Sequence, residues 1–295
     1  MKIRSCRVFF ITALALSVTV FANAAHAAAQ LPNSLRLYVL DGGTLGPSDP
    51  ARYNLKREEV TTTEFSVGCF LIAHPKGLLM WDTCAVPDSA WKPTGSPVHQ
   101  HLLLPRSQTR EVTVTKSVRE QLTQAGYRPE DINYLALSHF HYDHTANANL
   151  FAKATWLVTQ VEHDAMLSPQ AGEITVPENY SALRNSKVVI LKGSEHDVFG
   201  DGSVIIKLAP GHTPGHQVLY VKLPQTGNVM LSGDLYHYPE ERTLQRVPTA
   251  EFDPEQTRQS RLAIERFLKD TGTQLWIQHD FVGNSKLKKA PQYYE

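Results

Sequence analysis

The chain has 295 residues, 42% hydrophobic and 20% charged, with 29 Lys+Arg against 29 Asp+Glu. That length accommodates one large domain or two small ones with a full apolar core, and the hydrophobicity excludes a disordered chain. Balanced charge offers phosphates no sustained basic face, so nucleic acid is not an expected partner.

The chain opens on a leader. Lys2, Arg4 and Arg7 precede an apolar stretch over 8–22, and Ala-x-Ala sites follow at Ala22-Asn23-Ala24 and Ala25-His26-Ala27. Basic, apolar, then small is the order of a secretory signal peptide, here over 1–27; the apolar stretch is short for an uncleaved anchor. Cleavage near Ala25 or Ala28 leaves one domain over 28–295 with 26 basic and 29 acidic residues, a balance of −3. The expected location is periplasmic or secreted, with no membrane attachment after cleavage.

Apolar β-rich runs follow at 35–40, 65–73 and 78–82, the last two forming a hairpin about His74-Pro75-Lys76-Gly77. Cys69 and Cys84 flank this hairpin. Counting from the turn sets Cys69 opposite Asp82, so a bridge would need a bulge or a register offset, and buried free thiols are the default. Residues 85–110 carry four prolines and no periodicity, which reads as a long lid or binding loop. Trp91, Leu102, Leu103 and Leu104 within it could line an apolar channel. A helix is expected over 112–125, closed by Gly126, and another over 160–167 before Pro169.

Further strands are expected at 132–137, 155–158 and 188–191, then at 204–208, 218–223, 229–231 and 274–277. Asp253-Pro254-Glu255-Gln256 supplies an N-cap, a first-turn proline and a capping-box glutamine for a helix that buries Leu262, Ile264, Phe267 and Leu268 and stops before Gly272. Two runs of strands trailed by helices imply an α/β chain in which two β-sheets pack together with helices outside.

The chemistry concentrates in Ser138-His139-Phe140-His141-Tyr142-Asp143-His144, just past the strand at 132–137. Three imidazoles and a carboxylate in six residues are hard to justify as packing, and they suit zinc or another borderline divalent ion. His139 and His141 fall on one side of an extended chain, while Asp143 and His144, past a turn, could face a second ion. His212, Asp234 and His279 each follow a later strand in the same way.

This order and spacing resembles the metallo-β-lactamase superfamily, and within it the N-acyl-homoserine lactonases and 4-pyridoxolactonase, over about residues 35–279. The resemblance implies an αββα sandwich of two mixed sheets with helices on the outer faces. It implies two Zn2+ ions, other divalent metals being possible: one on His139, His141 and His212, the other on Asp143, His144 and His279. Asp234 and a hydroxide would bridge them. The reaction implied is hydrolysis of a lactone, most simply an N-acyl-homoserine lactone (quorum quenching), by attack of that hydroxide, with Asp143 orienting it. His216 would support its turn, and Asp82 would be structural or back a ligand histidine. The alternatives are another lactone or ester on the same site, or a metal-binding carrier or sensor without catalysis. A homodimer is compatible.

Two positions depart from the family. The lactonases carry a tyrosine three residues after the bridging aspartate; here that place is His237, with Tyr236 beside it, and either is a candidate to position the substrate carbonyl. The usual Asp-Thr-Gly after the second hairpin strand reads Asp82-Thr83-Cys84.

Overall fold

The computed structural model describes residues 29–90, 98–104, 108–173 and 175–295, with the side chains of 98–104, 108, 109 and 173 left aside. The leader expected over 1–27 and Trp91 lie outside the described residues, as do the side chains of Leu102, Leu103 and Leu104. Among the described residues no helix is long and apolar enough to cross a membrane.

Strands β1 (Arg36–Leu45), β2 (Phe65–His74), β3 (Gly77–Trp81), β4 (Val98–Leu104), β5 (Gln108–Val114), β6 (Tyr134–Ala136), β7 (Thr155–Thr159) and β8 (Val188–Leu191) form one mixed sheet in the order β4-β5-β1-β2-β3-β6-β7-β8. Strands β9 (Glu195–Asp197), β10 (Val204–Leu208), β11 (Gln217–Leu223), β12 (Gly227–Leu231) and β13 (Gln274–Trp276) form the second, in the order β13-β12-β11-β10-β9. β2 is buried at every position, as expected of a strand covered on both faces.

Alternation of side chains along each strand sorts the core into layers. Leu37, Val39, Phe70, Ile72, Leu79 and Trp81 face the second sheet and meet Ile206, Leu219, Val221 and Leu231. Their neighbours Tyr38, Leu40, Leu71 and Met80 face outward, under Val118 and Leu122 of α1 (Val118–Gln124). On the far side, Val218, Tyr220 and Met230 of the second sheet are covered by Ile264 and Leu268 of α5 (Pro254–Thr271). The result is the expected αββα sandwich. The remaining helices, α2 (Tyr142–Thr145), α3 (Gln160–Leu167), α4 (Pro239–Leu244) and α6 (Phe281–Ser285), are short.

Four expectations need correction. Residues 98–104 and 108–114 form the antiparallel pair β4 and β5 at a sheet edge, where a loop to 110 and a helix from 112 were expected. Val112 and Val114 alternate with polar neighbours and bury against Leu45 and Val67, and the helix starts only at Ser117, whose hydroxyl accepts from the Glu120 N–H at 3.0 Å. Leu262 is 61% exposed, because the buried stripe of α5 runs through Thr257, Ser260, Arg261, Ile264 and Leu268. Finally, Cys69 and Cys84 are disulfide-bonded, with Cα atoms 5.4 Å apart. Left-handed φ values at Asp82 (55°) and Cys84 (64°) fold the chain back after β3 and supply the offset that strand counting requires.

Candidate metal centre

Strands β10 and β12 are both antiparallel to β11, and β13 is parallel to β12, so the three run in one direction and end on one edge of their sheet. His212, Asp234 and His279 follow those three ends. His139 and His141 follow β6, and α2 then carries Asp143 and His144. Gly233, at φ +49°, makes the turn that presents Asp234; a Cβ there would lie 2.7 Å from both His216 Nε2 and Ser138 Cβ. His216 fixes this turn. Its Nδ1 donates to the Ala209 carbonyl at 3.0 Å and its Nε2 accepts the Asp234 N–H at 2.9 Å. Burial, with His212 nearby, lowers its pKa to about 3, in keeping with a neutral ring in this role.

The seven expected residues meet as two groups of ligating atoms, His139, His141, His212 and Asp234 in one and Asp143, His144 and His279 in the other. In the first, His141 Nδ1 lies 2.8 Å from His139 Nε2 and 3.0 Å from His212 Nε2. In the second, His279 Nε2 is 3.6 Å from Asp143 Oδ2. Asp234 faces both. Its Oδ2 is 3.5 Å from His139 Nε2 and 3.3 Å from His212 Nε2, while its Oδ1 is 3.0 Å from each of His144 Nε2 and His279 Nε2.

This set fits divalent metal ions. Asp234 Oδ1 and His144 Nε2 are buried and close, yet neither makes a hydrogen bond. Leaving such atoms unsatisfied costs about 1–3 kcal/mol each, which a cation between them would remove. Burial lowers the His139 and His141 imidazoles well below the ordinary histidine range, leaving them neutral nitrogen donors. Burial alone would raise Asp234, but the imidazoles around it, His144 foremost, hold it well below the usual carboxylate range. Neutral imidazoles with carboxylates are zinc-type ligands.

Each group is braced from behind. Asp82, with no exposed surface, contacts His144 Nδ1 at 2.9 Å and accepts from Ser138 N at 2.6 Å, Ser138 Oγ at 2.9 Å and Gln278 Nε2 at 3.0 Å. His279 Nδ1 donates to the Ser66 carbonyl at 2.8 Å. On the other side His212 Nδ1 lies 3.0 Å from Glu251 Oε1. Burial would raise Glu251, yet His212 and the Thr257 hydroxyl bring it down to about 2. Glu162 ties the two histidine-bearing loops, accepting from Phe140 N at 2.8 Å, Thr213 Oγ1 at 3.0 Å and Gly215 N at 2.9 Å. Burial raises its pKa to about 7 despite those bonds.

Residues 62–279 match the metallo-beta-lactamase superfamily. The chain belongs to that superfamily. It is 28% identical over 271 residues to the N-acyl homoserine lactonase AttM of Azorhizobium caulinodans, covering 88% of this chain and 99% of that one. An N-acyl homoserine lactone hydrolase solved with the product N-hexanoyl-L-homoserine at its catalytic metal centre shares the fold (TM-score 0.72, 24% identity, 90% of this chain and 100% of that one). So does AidC, a dizinc quorum-quenching lactonase (TM-score 0.63, 18% identity, 91% and 97%).

In this superfamily member the groups open into a cavity of about 440 Å³, walled by Arg52, Tyr53, Phe65, Arg110, Phe140 and Tyr142 among others. Its floor includes His141, Asp143, His212, Asp234, His237 and His279. The structure separates the two candidates after the aspartate. His237 faces the centre, its Nε2 3.2 Å from Asp234 Oδ2 and its ring stacked parallel to that of His279. Tyr236 does not. Its backbone is extended (φ −142°, ψ 142°), so it points opposite to His237, its hydroxyl donating to Glu265 Oε1 at 3.1 Å and its ring lying beneath Arg261. Tyr236 therefore stands away from the two ligand groups. His237 is supported by Glu241, whose Oε1 accepts the His237 N–H at 3.1 Å and lies 3.3 Å from Nδ1, while Arg261 Nη2 donates to Oε2 at 2.6 Å.

Sequence reasoning missed Glu162, Glu241 and Glu251. Glu162 sits three residues after Thr159, and Glu241 occupies the third position of α4, so both read as ordinary capping glutamates. Glu251 carried no signal beyond its place two residues before the Asp253 cap.

Proposed function

We propose that this chain is a dinuclear metal hydrolase that opens lactone rings, N-acyl homoserine lactones foremost. The observation that carries the reading is the meeting of two ligand groups on the two oxygens of Asp234, at the floor of a cavity wide enough for a small ring and its substituent. His139, His141 and His212 would hold one ion, Asp143, His144 and His279 the other, and Asp234 would join them. When bound, a pair of zinc ions supplies Lewis acidity for the carbonyl and a low-pKa water. Asp143, on the cavity floor, would orient the attacking water and take its proton. His237 replaces the lactonases' tyrosine as hydrogen-bond donor to the substrate carbonyl, backed by Glu241. Phe65, Phe140 and Tyr142 flank the ring and limit bulk water around it.

A second reading has its own observation. Arg52 and Arg110 both stand on the cavity wall, and guanidinium groups favour a lactone that carries a carboxylate over one with a plain alkyl tail. Proton release from N-butanoyl, N-hexanoyl and N-dodecanoyl homoserine lactones, alongside a carboxylated lactone, decides between them. A carboxylated lactone preferred by kcat/KM would establish the second reading; no turnover of any lactone by metal-loaded protein would end both.

We also propose export, with the leader cleaved before Ala25 or Ala28. The basic–apolar–small order of the leader supports it, as does a disulfide, which suits an oxidising compartment. N-terminal sequencing of the exported protein should find Ala25 or Ala28 first; Met1 on membrane-bound material would contradict it.

A further inference from the structure

The Cys69–Cys84 disulfide closes the turn that carries Asp82, the side chain that backs His144. Cys69 is on β2 and Cys84 follows β3, and both are buried. The Asp82–Cys84 turn that the bridge closes is bonded chiefly to the segment bearing Asp143 and His144. Asp82 Oδ2 faces His144 Nδ1 at 2.9 Å; Thr83 N and Oγ1 both donate to the His144 carbonyl, at 2.7 and 3.0 Å. The Cys84 carbonyl accepts the Ala146 N–H at 3.2 Å, and Thr83 accepts the Asn147 N–H and side-chain amide.

The turn is conformationally demanding. Asp82 and Cys84 both adopt positive φ, a region that L side chains with a Cβ disfavour. Glycine would take the position of Cys84 freely. Here a cysteine occupies it. Room for its Cβ comes from Gly42, where an added Cβ would lie 2.8 Å from that of Cys84.

We infer that the Cys69–Cys84 disulfide is a positioning element of the metal centre: the cross-link holds the left-handed Asp82–Cys84 turn against α2 and so fixes Asp82 behind His144. A covalent tie holds here a turn that glycine would otherwise take freely. The inference rests on the seven residues being metal ligands, as proposed above.

The test compares wild type, C69S/C84S, C69S/C84G and wild type refolded in a phosphine. The phosphine breaks the S–S bond to two thiols and becomes its oxide, with water supplying the oxygen and both protons. Zinc affinity is read by competition with a chromophoric chelator, and thermal unfolding of the metal-free proteins is read in parallel. C69S/C84S and reduced wild type should hold one of the two zinc ions about tenfold less tightly than oxidised wild type. C69S/C84G, also without the bridge, should recover most of that loss, which a purely stabilising cross-link would not allow. Equal zinc affinity in all four, with only the unfolding temperature lowered, would overturn the inference. So would C69S/C84G binding no better than C69S/C84S. Wild type that binds no zinc would overturn the ligand reading itself, and this inference with it.

Discussion

The two ligand groups are braced unequally. Asp82, behind His144, is fully buried and collects contacts from Ser138 past β6 and Gln278 past β13, so both sheets contribute to its hold. Glu251, behind His212, has His212 and Thr257 as its side-chain partners and also lines the cavity. Both carboxylates are buried, but one is built into the seam of the sandwich while the other borders the cavity, two residues before the Asp253 cap of α5. The difference teaches that the group on Asp143, His144 and His279 is set by the fold as a whole. The group on His139, His141 and His212 is held by side chains nearer the cavity, Glu251 behind His212 and Glu162 between the loops that bear His141 and His212.

The largest expected effect erases the distinction. Asp234→Ala removes the carboxylate that faces both groups, so bound metal should fall well below two equivalents by elemental analysis, and turnover should fall on the order of 10²–10³-fold. His216→Ala, which leaves all seven ligand atoms, should lose less metal.

A sharper test separates the braces. Asp82→Asn leaves a well-packed site short of an acceptor charge and should weaken one zinc by about 100-fold, whereas Glu251→Gln should weaken the other by about tenfold. Chelator competition on both variants measures this, and equal losses would remove the contrast between seam and cavity border.

The smallest effect concerns the neighbours after Asp234. His237→Phe should lower kcat about tenfold or more with metal content kept, as expected for loss of a donor to the reacting carbonyl. Tyr236→Phe should leave kcat unchanged and cost about 1 kcal/mol of stability, the worth of its bond to Glu265. Steady-state kinetics beside thermal unfolding distinguishes them, and a kcat loss in Tyr236→Phe would reverse the assignment.

These contrasts mark what the sequence could disclose. The histidine cluster was legible because three imidazoles and an aspartate in six residues have no packing explanation, and each later ligand follows an apolar strand. The choice between Tyr236 and His237 was not, since it depends on which side of an extended segment faces the centre. The cysteine bridge was hidden by two left-handed residues that strand counting cannot anticipate. Leu262 misled because the helix buries Thr257, Ser260 and Arg261, a stripe partly polar, so hydrophobicity did not mark the inner face. The glutamate braces escaped because the same residue type at the same helix positions normally serves only to cap.

The central claim is that two metal ions, joined through Asp234, make this site a lactone hydrolase. Titrating metal-free protein with zinc while following proton release from N-hexanoyl homoserine lactone tests it most directly. Turnover should rise with added zinc and level off at two equivalents per chain, each lactone opened releasing about one proton near neutral pH. Saturation at a single equivalent, or no ring opening at any zinc loading, would contradict it.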